Sequence, residues 1–395
     1  MSLNSTVSAE RPHIAFFGRR NAGKSSVVNA VTNQRISVVS ETLGTTTDPV
    51  QKAMELLPMG PVVIIDTPGF DDEGALGELR VERTREVLRK TDIAVLVVDG
   101  TVGLTSADKS LIDEFVSRGL PYLIAVNKID LIAELPTEDK HTACVSALTG
   151  EGIGKLKERL AVIVKSDSEP KLIVADLVKQ GDTVILVIPI DESAPKGRII
   201  LPQQQTLREL LDHHCTVICC QDTELRATLS KLSVPPALVI TDSQAFKRVA
   251  ADTPEDVPMT SFSILFARYK GDLDALISGA NALKNLQDGD KLLISEGCTH
   301  HRQCGDIGTV KLPAWIREHS GSQVDFTFTS GGTFPDSLSD YKIVVHCGGC
   351  MLNEKEMQHR QRVAREAGVP MVNYGVAIAA MNGILDRALK PITGS

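Results

Sequence analysis

The stretch HIAFFGRRNAGKSS, residues 13–26, constrains the fold more than any other. Its apolar start, His13–Phe17, reads as a buried strand. The next eight residues fit G-x-x-x-x-G-K-[ST] from Gly18 to Ser25, and a helix-forming run follows. The order has a physical cause. Glycines let backbone N–H groups curl around a phosphate, and the N-terminus of the next helix adds positive dipole. Lys24 reaches the β- and γ-phosphates, and the Ser25 hydroxyl serves Mg²⁺. Gly18, Asn21, Ala22, Gly23, Lys24, Ser25 and Ser26 are therefore predicted to cradle a nucleotide's phosphates. A strand–loop–helix unit of this kind belongs to α/β folds with a parallel sheet and a site at the strand C-termini.

Three further segments specify the nucleotide. VVIIDTPG, residues 62–69, is an apolar strand ending in Asp66, placed to hold Mg²⁺ or its water, with the Gly69 N–H directed at the γ-phosphate. Lys24, Asp66 and Gly69 are the expected catalytic set. Between the two motifs, ETLGTTTDP is polar and threonine-rich, and Thr45, Thr46 or Thr47 can meet the metal; Thr46 is taken as its ligand. YLIAVNKID, residues 122–130, ends in Asn127, Lys128 and Asp130. Asp130 can accept from the N1–H and 2-amino groups of guanine, which adenine cannot offer, so GTP is selected. Asn127 is expected on the N7/O6 edge, the Lys128 stem over the base, and a backbone N–H of Ser146–Ala147 at O6.

These motifs, in this order, resemble the guanine-nucleotide-binding domain of translation-factor-like GTPases over about residues 10–165. Phe70 follows D-T-P-G where Ras-like GTPases place a water-orienting glutamine, so intrinsic hydrolysis is expected to be slow or to use another device. Asn21 and the threonine-rich loop are similar to those of potassium-activated GTPases, which implies K⁺ as a cofactor. Read without that resemblance, Asn21 is equally a structural asparagine.

Composition narrows the function classes. The 395 residues are 42% hydrophobic and 23% charged, as in ordinary globular proteins. A net charge of −8 and the lack of a basic run disfavour nucleic acid as the main partner. No apolar stretch approaches the length of a membrane span, and MSLNSTVSAERPH contains no apolar signal region. The chain is read as cytoplasmic, with its eight cysteines as reduced thiols or metal ligands.

Three domains are expected: a P-loop GTPase domain over 1–168, then two smaller parallel-sheet α/β units over 169–265 and 266–395. KSDSEPK, residues 165–171, marks the first boundary. In the middle unit TVILVIPID, CTVICC, PALVITD and TSFSILFARY read as strands, and an amphipathic helix starts near Gln203. A strand edge at Ser261–Phe266 is available to pair with another copy. Of His213, His214, Cys215, Cys219 and Cys220, the three cysteines fall in a strand, with Cys215 and Cys219 on one face. They are read as packed core thiols.

The last unit carries SEGCTHHRQC, with Cys298, His300, His301 and Cys304, and VVHCGGC, with His346, Cys347 and Cys350. Apolar strands precede both. If those strands are adjacent and parallel, their C-terminal ends bring the ligands together. The two glycines between Cys347 and Cys350 permit a tight turn with N–H groups aimed at sulfur, and a helix beginning in the following stretch would stabilise thiolates. Cys298, His300, Cys347 and Cys350 are the candidate metal ligands, with His346 close by. Cys304, off this pattern, is read as core filler. A tetrahedral Cys₃His zinc site and an iron–sulfur cluster on three thiolates both fit the spacing.

C-T-H, then 45 residues, then H-C-G-G-C resembles the signature of the HydF family, GTPase maturation factors of FeFe-hydrogenase. APKGRIILPQQQT, TSFSILFARYKGDL and HCGGCMLN are similar to that family too, in the same three-part order along essentially the whole chain. The resemblance implies a dimerisation domain over 169–265, a homodimer or higher oligomer, and a 4Fe–4S cluster on Cys298, Cys347 and Cys350. It also implies a diiron subcluster as cargo, received from radical-SAM maturases and delivered to the FeFe-hydrogenase apoprotein. His300 and His346 are placed to supply the fourth cluster ligand or to hydrogen-bond the cargo. Two other functions compete: a regulatory or RNA-modification GTPase with a zinc-stabilised C-terminal domain, and a redox enzyme using the C-x-x-C pair, which leaves C-T-H unexplained.

Overall fold

Strand β1, His13–Gly18, is buried along its whole length, so it must be covered on both faces. In the computed structural model it lies third in a six-stranded sheet. The structure describes residues 10–34, 50–68, 84–166, 171–190, 199–297, 307–335, 337–349 and 351–394. The sheet order is β2-β3-β1-β4-β5-β6, with β2 at Val50–Leu56, β3 at Gly60–Asp66, β4 at Ile93–Asp99, β5 at Tyr122–Asn127 and β6 at Thr142–Cys144. All pairings are parallel except β2 with β3. Period-two alternation splits each strand between two cores. Ile14, Phe16, Ile64 and Val95 face the Lys24–Thr32 and Ile153–Ser166 helices. Ala15, Phe17, Ile65 and Leu96 face Phe115 of the Ser106–Ser117 helix. Because β1, β3, β4 and β5 run in parallel, the ends bearing Gly18, Asp66, Asp99 and Asn127 come out on one edge of the sheet.

The chain divides into two compact units, residues 1–170 and 171–395. The second holds two parallel four-stranded sheets. One has the order β10-β9-β7-β8, with β7 at Thr183–Val187, β8 at Thr216–Cys220, β9 at Leu238–Thr241 and β10 at Met259–Ser261. The other has the order β12-β11-β13-β14, with β11 at Lys291–Glu296, β12 at Asp325–Ser330, β13 at Ile343–His346 and β14 at Met371–Asn373. A single core joins them: Ile185, Val187 and Val239 share it with Leu292, Ile294 and Val345. Among the described residues no helix is long and apolar enough to cross a membrane.

Three expectations for the middle segment need correction. TSFSILFARY is not one strand: only Met259–Ser261 is extended, and Phe262–Lys270 is a helix. The Ser261 side chain accepts from Ile264 N–H at 3.2 Å and caps that helix. Phe262, Ile264, Leu265 and Phe266 are buried on more than one side, a pattern in which an apolar run does not distinguish helix from strand. The β10 edge is consequently not open: Met259, Thr260 and Ser261 are fully buried, and the Leu385–Thr393 helix packs on them. The half-exposed edge belongs to β8. The reading of the cysteines as packed core thiols also holds only in part: Cys215, just before β8, is buried, Cys220 is half-buried, and Cys219 is exposed on this edge strand.

Candidate functional site

The phosphate loop is built by local geometry. Gly23 stands at φ 83° as the N-cap of the Lys24–Thr32 helix, with no side-chain cap on the helix's first N–H groups. A Cβ there would come within 2.2 Å of Asn127 Nδ2, so glycine is required by conformation and by space. At Gly18 a Cβ would approach Val97 O to 2.8 Å. Asn21 is exposed and left-handed at φ 63°. Behind the loop, Asp66 at the end of β3 accepts from both Lys24 Nζ and Ser25 Oγ, the latter at 3.1 Å. Lys24 and Asp66 are each about nine-tenths buried. Thr67 anchors the next residue through its hydroxyl to Phe16 O at 2.7 Å. Ser25 Oγ and the Asp66 carboxylate are hard oxygen donors, the set that suits Mg²⁺.

The base-binding motifs are tied to this loop. Asn127 donates from Nδ2 to Ala22 O at 3.1 Å and accepts at Oδ1 from Ala147 N–H at 3.0 Å. Its amide thus fastens the phosphate loop to the Ser146–Ala147 turn, where the sequence pointed to contact with the base. Asp130 is exposed and accepts at Oδ1 from buried Ser146 Oγ at 2.6 Å. Lys128 is left-handed at φ 64° and reaches back to Asp99 Oδ2 at 2.5 Å. Sequence reasoning passed over Asp99. Burial acts to raise its carboxyl pKa, but Lys128 and the hydroxyl and N–H of Thr101 outweigh that and hold it below the usual range. Its signal was available: it ends the apolar strand IAVLVVD as Asp66 ends VVIID.

At the other candidate centre β11 and β13 are neighbours and parallel, with Ser295 opposite His346, as the convergence argument required. Cys347 follows β13 immediately. Its Sγ accepts from Gly297 N–H at 3.0 Å and Gly349 N–H at 3.4 Å. Two backbone N–H groups thus converge on one sulfur. These donors come from the loops themselves. The Glu354–Glu366 helix begins farther on, capped by Asn353 and carrying Glu354 and Glu356 in its first turn. Gly349 stands at φ 61°, and a Cβ there would meet Met357 Sδ at 2.5 Å.

His346 is fully buried and both ring nitrogens are engaged. Nδ1 lies 2.6 Å from Cys347 O, and Nε2 lies 2.9 Å from Arg360 Nη1. A carbonyl only accepts and a guanidinium only donates, so the proton is on Nδ1 and the Nε2 lone pair is used by Arg360. In this arrangement His346 has no lone pair for a metal, contrary to its expected place among the ligands. Arg360, also fully buried, further donates to Glu356 Oε1 at 2.8 Å and Gly331 O at 2.9 Å. Thr45, Thr46, Thr47, Gly69, Phe70, Cys298, His300, His301, Cys304 and Cys350 lie outside the described residues. Among the described residues no group of three metal-capable side chains is assembled.

Family comparisons follow the same division of the chain. Residues 13–128 match a model described as 50S ribosome-binding GTPase. Residues 173–271 match the hydrogen maturase F dimerization domain and residues 274–391 its tetramerization domain, together more than half of the chain. The chain belongs to the hydrogen maturase F (HydF) family. As a HydF-family member it carries a P-loop GTPase domain followed by two homo-oligomerization domains. It is 34% identical to the tRNA modification GTPase MnmE of Nitrosospira multiformis over 158 residues, 38% of this chain and 34% of that protein. It is 39% identical to the GTPase Der of Maridesulfovibrio salexigens over 126 residues, 31% of this chain and 28% of that protein. The chain thus spans about a third of the length of these curated relatives. Among solved structures it is similar to a probable GTP-binding protein engB, at 25% identity over 39% of this chain and 99% of that one, with a TM-score of 0.29.

Proposed function

We propose that this HydF-family chain is a GTP-hydrolysing maturation factor of FeFe-hydrogenase that holds a 4Fe–4S cluster and carries the diiron subcluster to the apo-hydrogenase. The observation that carries the metal half is the surroundings of Cys347. The residues just before Cys298 and Cys350, Gly297 and Gly349, both place their N–H on the Cys347 sulfur. Cys298, Cys347 and Cys350 are then the three thiolate donors. A cluster so held supplies one iron position for exchangeable ligands. His300 stays a candidate for that position, while His346, bonded through both ring nitrogens, acts by fixing the Cys347 carbonyl.

In the nucleotide half, the phosphate loop with Lys24, Ser25 and Asp66 holds GTP and Mg²⁺, assisted by Thr46 and by Gly69 N–H. Asp130 reads guanine, and Asn21 is the K⁺ ligand. Domain limits of 1–168, 169–265 and 266–395 match these roles. Radical-SAM maturases supply the cargo, the apo-hydrogenase receives it in the cytoplasm, and nucleotide state sets the affinity for these partners. A coupling of about 1–3 kcal/mol is enough for such a switch.

Anaerobic reconstitution with iron and sulfide, read by metal content, visible absorption and EPR, tests the reading. Wild type should take up one cubane per chain, and Cys298→Ala, Cys347→Ala and Cys350→Ala should each lose most of it. Tetrahedral zinc in the purified chain, with no iron uptake, would sink the proposal and leave a GTPase.

A further inference from the structure

Strand β4 ends beside the base-binding motif. The register of β4 on β5 sets Asp99 opposite Asn127, the residue before Lys128. The turn after Asp99 lies directly on that neighbour. Gly100 donates its N–H to Asn127 O at 2.8 Å, and a Cβ on Gly100 would meet the same oxygen at 2.8 Å. Glycine is what lets the two turns approach this closely. Thr101 then fixes the carboxylate. Asp99 Oδ1 accepts from the Thr101 N–H at 2.9 Å and from its hydroxyl at 2.7 Å. Oδ2 accepts from Lys128 Nζ at 2.5 Å. The run D-G-T, residues 99–101, is thus shaped as an anchor for an ammonium.

Lys128 reaches that anchor along a defined course. Its backbone is left-handed at φ 64° and ψ 35°, which is unfavourable for a lysine and is held by its neighbours. The Lys128 carbonyl accepts from Leu131 N–H at 3.0 Å, and the following N–H, of Ile129, donates to Val145 O at 3.4 Å. The side chain leaves this turn alongside the phosphate loop: its Cε is 4.0 Å from the point where a Cβ on Gly23 would stand. The stem is therefore held at its root by the turn and at its tip by Asp99. The side chains of Lys128 and Asp99 are 30% and 15% exposed, and ion pairs this open to water add little to folding stability. The consequence of the pair lies in order instead. A lysine stem forfeits much rotamer entropy when it is immobilised. Here that ordering precedes the nucleotide, and a contact group already rigid in its bound form raises affinity.

We propose that Asp99 is a positioning residue for the guanine nucleotide: it anchors the Lys128 ammonium so that the lysine stem stands preformed as an apolar wall for the flat face of the base. This inference rests on the reading of Lys128 as the cover of guanine. It brings into the base pocket a residue from a different strand, outside the Asn127–Asp130 motif.

Binding of a fluorescent GDP analogue to the full chain tests both points. Asp99→Asn is isosteric, keeps an acceptor for Thr101, and removes the charge that holds the ammonium. It should weaken binding about five- to tenfold, mainly through faster dissociation. Lys128→Ala removes stem and ammonium together and should weaken binding about tenfold or more. The double variant should bind within about twofold of Lys128→Ala, because Asp99 acts only through the lysine. A merely structural role of Asp99, through Thr101 or Gly100, would instead multiply the two losses. Multiplied losses overturn the positioning role. So does an Asp99→Asn affinity equal to wild type while Lys128→Ala is weakened, and in that case the base-cover reading stands. If Lys128→Ala binds as tightly as wild type, the base-cover reading itself fails and the positioning role falls with it.

Discussion

Replacing Arg360 by methionine should destabilise the second unit severely. The guanidinium is fully buried and is bonded to Glu356 Oε1, His346 Nε2 and Gly331 O at 2.8–2.9 Å, with its carbon 5.1 Å from the Phe334 ring centre. Glu356 is 2% exposed, and its Oε2 has no hydrogen-bond partner among the described residues. Arg360→Met therefore strands a carboxylate that has no other cation bonded to it among the described residues. Breaking a buried pair from one side costs about 3–5 kcal/mol. Leaving His346 Nε2 and Gly331 O without a donor pushes the loss toward the upper end, since each buried orphan costs about 1–3 kcal/mol. Against a typical domain stability of about 5–15 kcal/mol that is a large fraction. Arg360→Met/Glu356→Met removes both charges, and apolar replacement of both partners is often neutral or better. The double variant should therefore recover about half of the loss or more. The chain has one tryptophan, Trp315, in the Leu312–Ser320 helix and packed on the core of the same unit, so its fluorescence in urea reports this unit directly. A loss under about 1 kcal/mol for the single variant, or a double variant no more stable than the single, would refute the account of a buried pair that needs both members.

Three other outcomes follow from the geometry. Gly23→Ala should weaken binding of a fluorescent GDP analogue at least tenfold: the left-handed backbone costs about 1–2 kcal/mol, and the new Cβ, 2.2 Å from Asn127 Nδ2, forces that amide off Ala22 O; unaltered affinity would contradict the clamp. The Asp99 carboxyl is held low by Lys128 and Thr101 against the opposing effect of burial, so its contribution to stability is complete above the unfolded value of about 3.9 and is lost as pH falls through the lower folded value. The unfolding free-energy difference between wild type and Asp99→Asn should therefore be flat above about pH 5 and shrink below about pH 4; a difference that grows on acidification would reverse the assignment. Iodoacetamide with peptide mass spectrometry should modify exposed Cys219 under native conditions, faster as pH rises because desolvation holds its thiol above the ordinary value, and should spare buried Cys215 until unfolding; equal rates for the two would show that the β8 edge is covered.

Much of this arrangement was legible beforehand because it is written in short-range pattern. The phosphate loop, the strand ending in Asp66 and the strand ending in Asn127 are each an apolar run followed by turn or polar residues, and each occupies the predicted strand end. The pairing of β11 with β13 was also inferable, since a cysteine cluster follows each of the two apolar runs in the sequence and adjacent parallel strands put their ends side by side. The helix at Phe262–Lys270 was not legible: an apolar run buried on several sides has no period to read, and the Ser261 cap decides it.

By itself, then, the order of residues determined the parallel α/β class, the nucleotide loop and the cysteine spacing, because neighbours in the chain set backbone propensity and strand-end position. Tertiary structure alone decided the partners of single side chains. Asn127 meets Ala22 across 105 positions, Lys270 meets Leu352 across 82, and Arg360 takes the His346 lone pair across 14. A polar side chain removed from water bonds whatever donor or acceptor packing brings to it, and that depends on which strands and helices become neighbours, which no local pattern encodes.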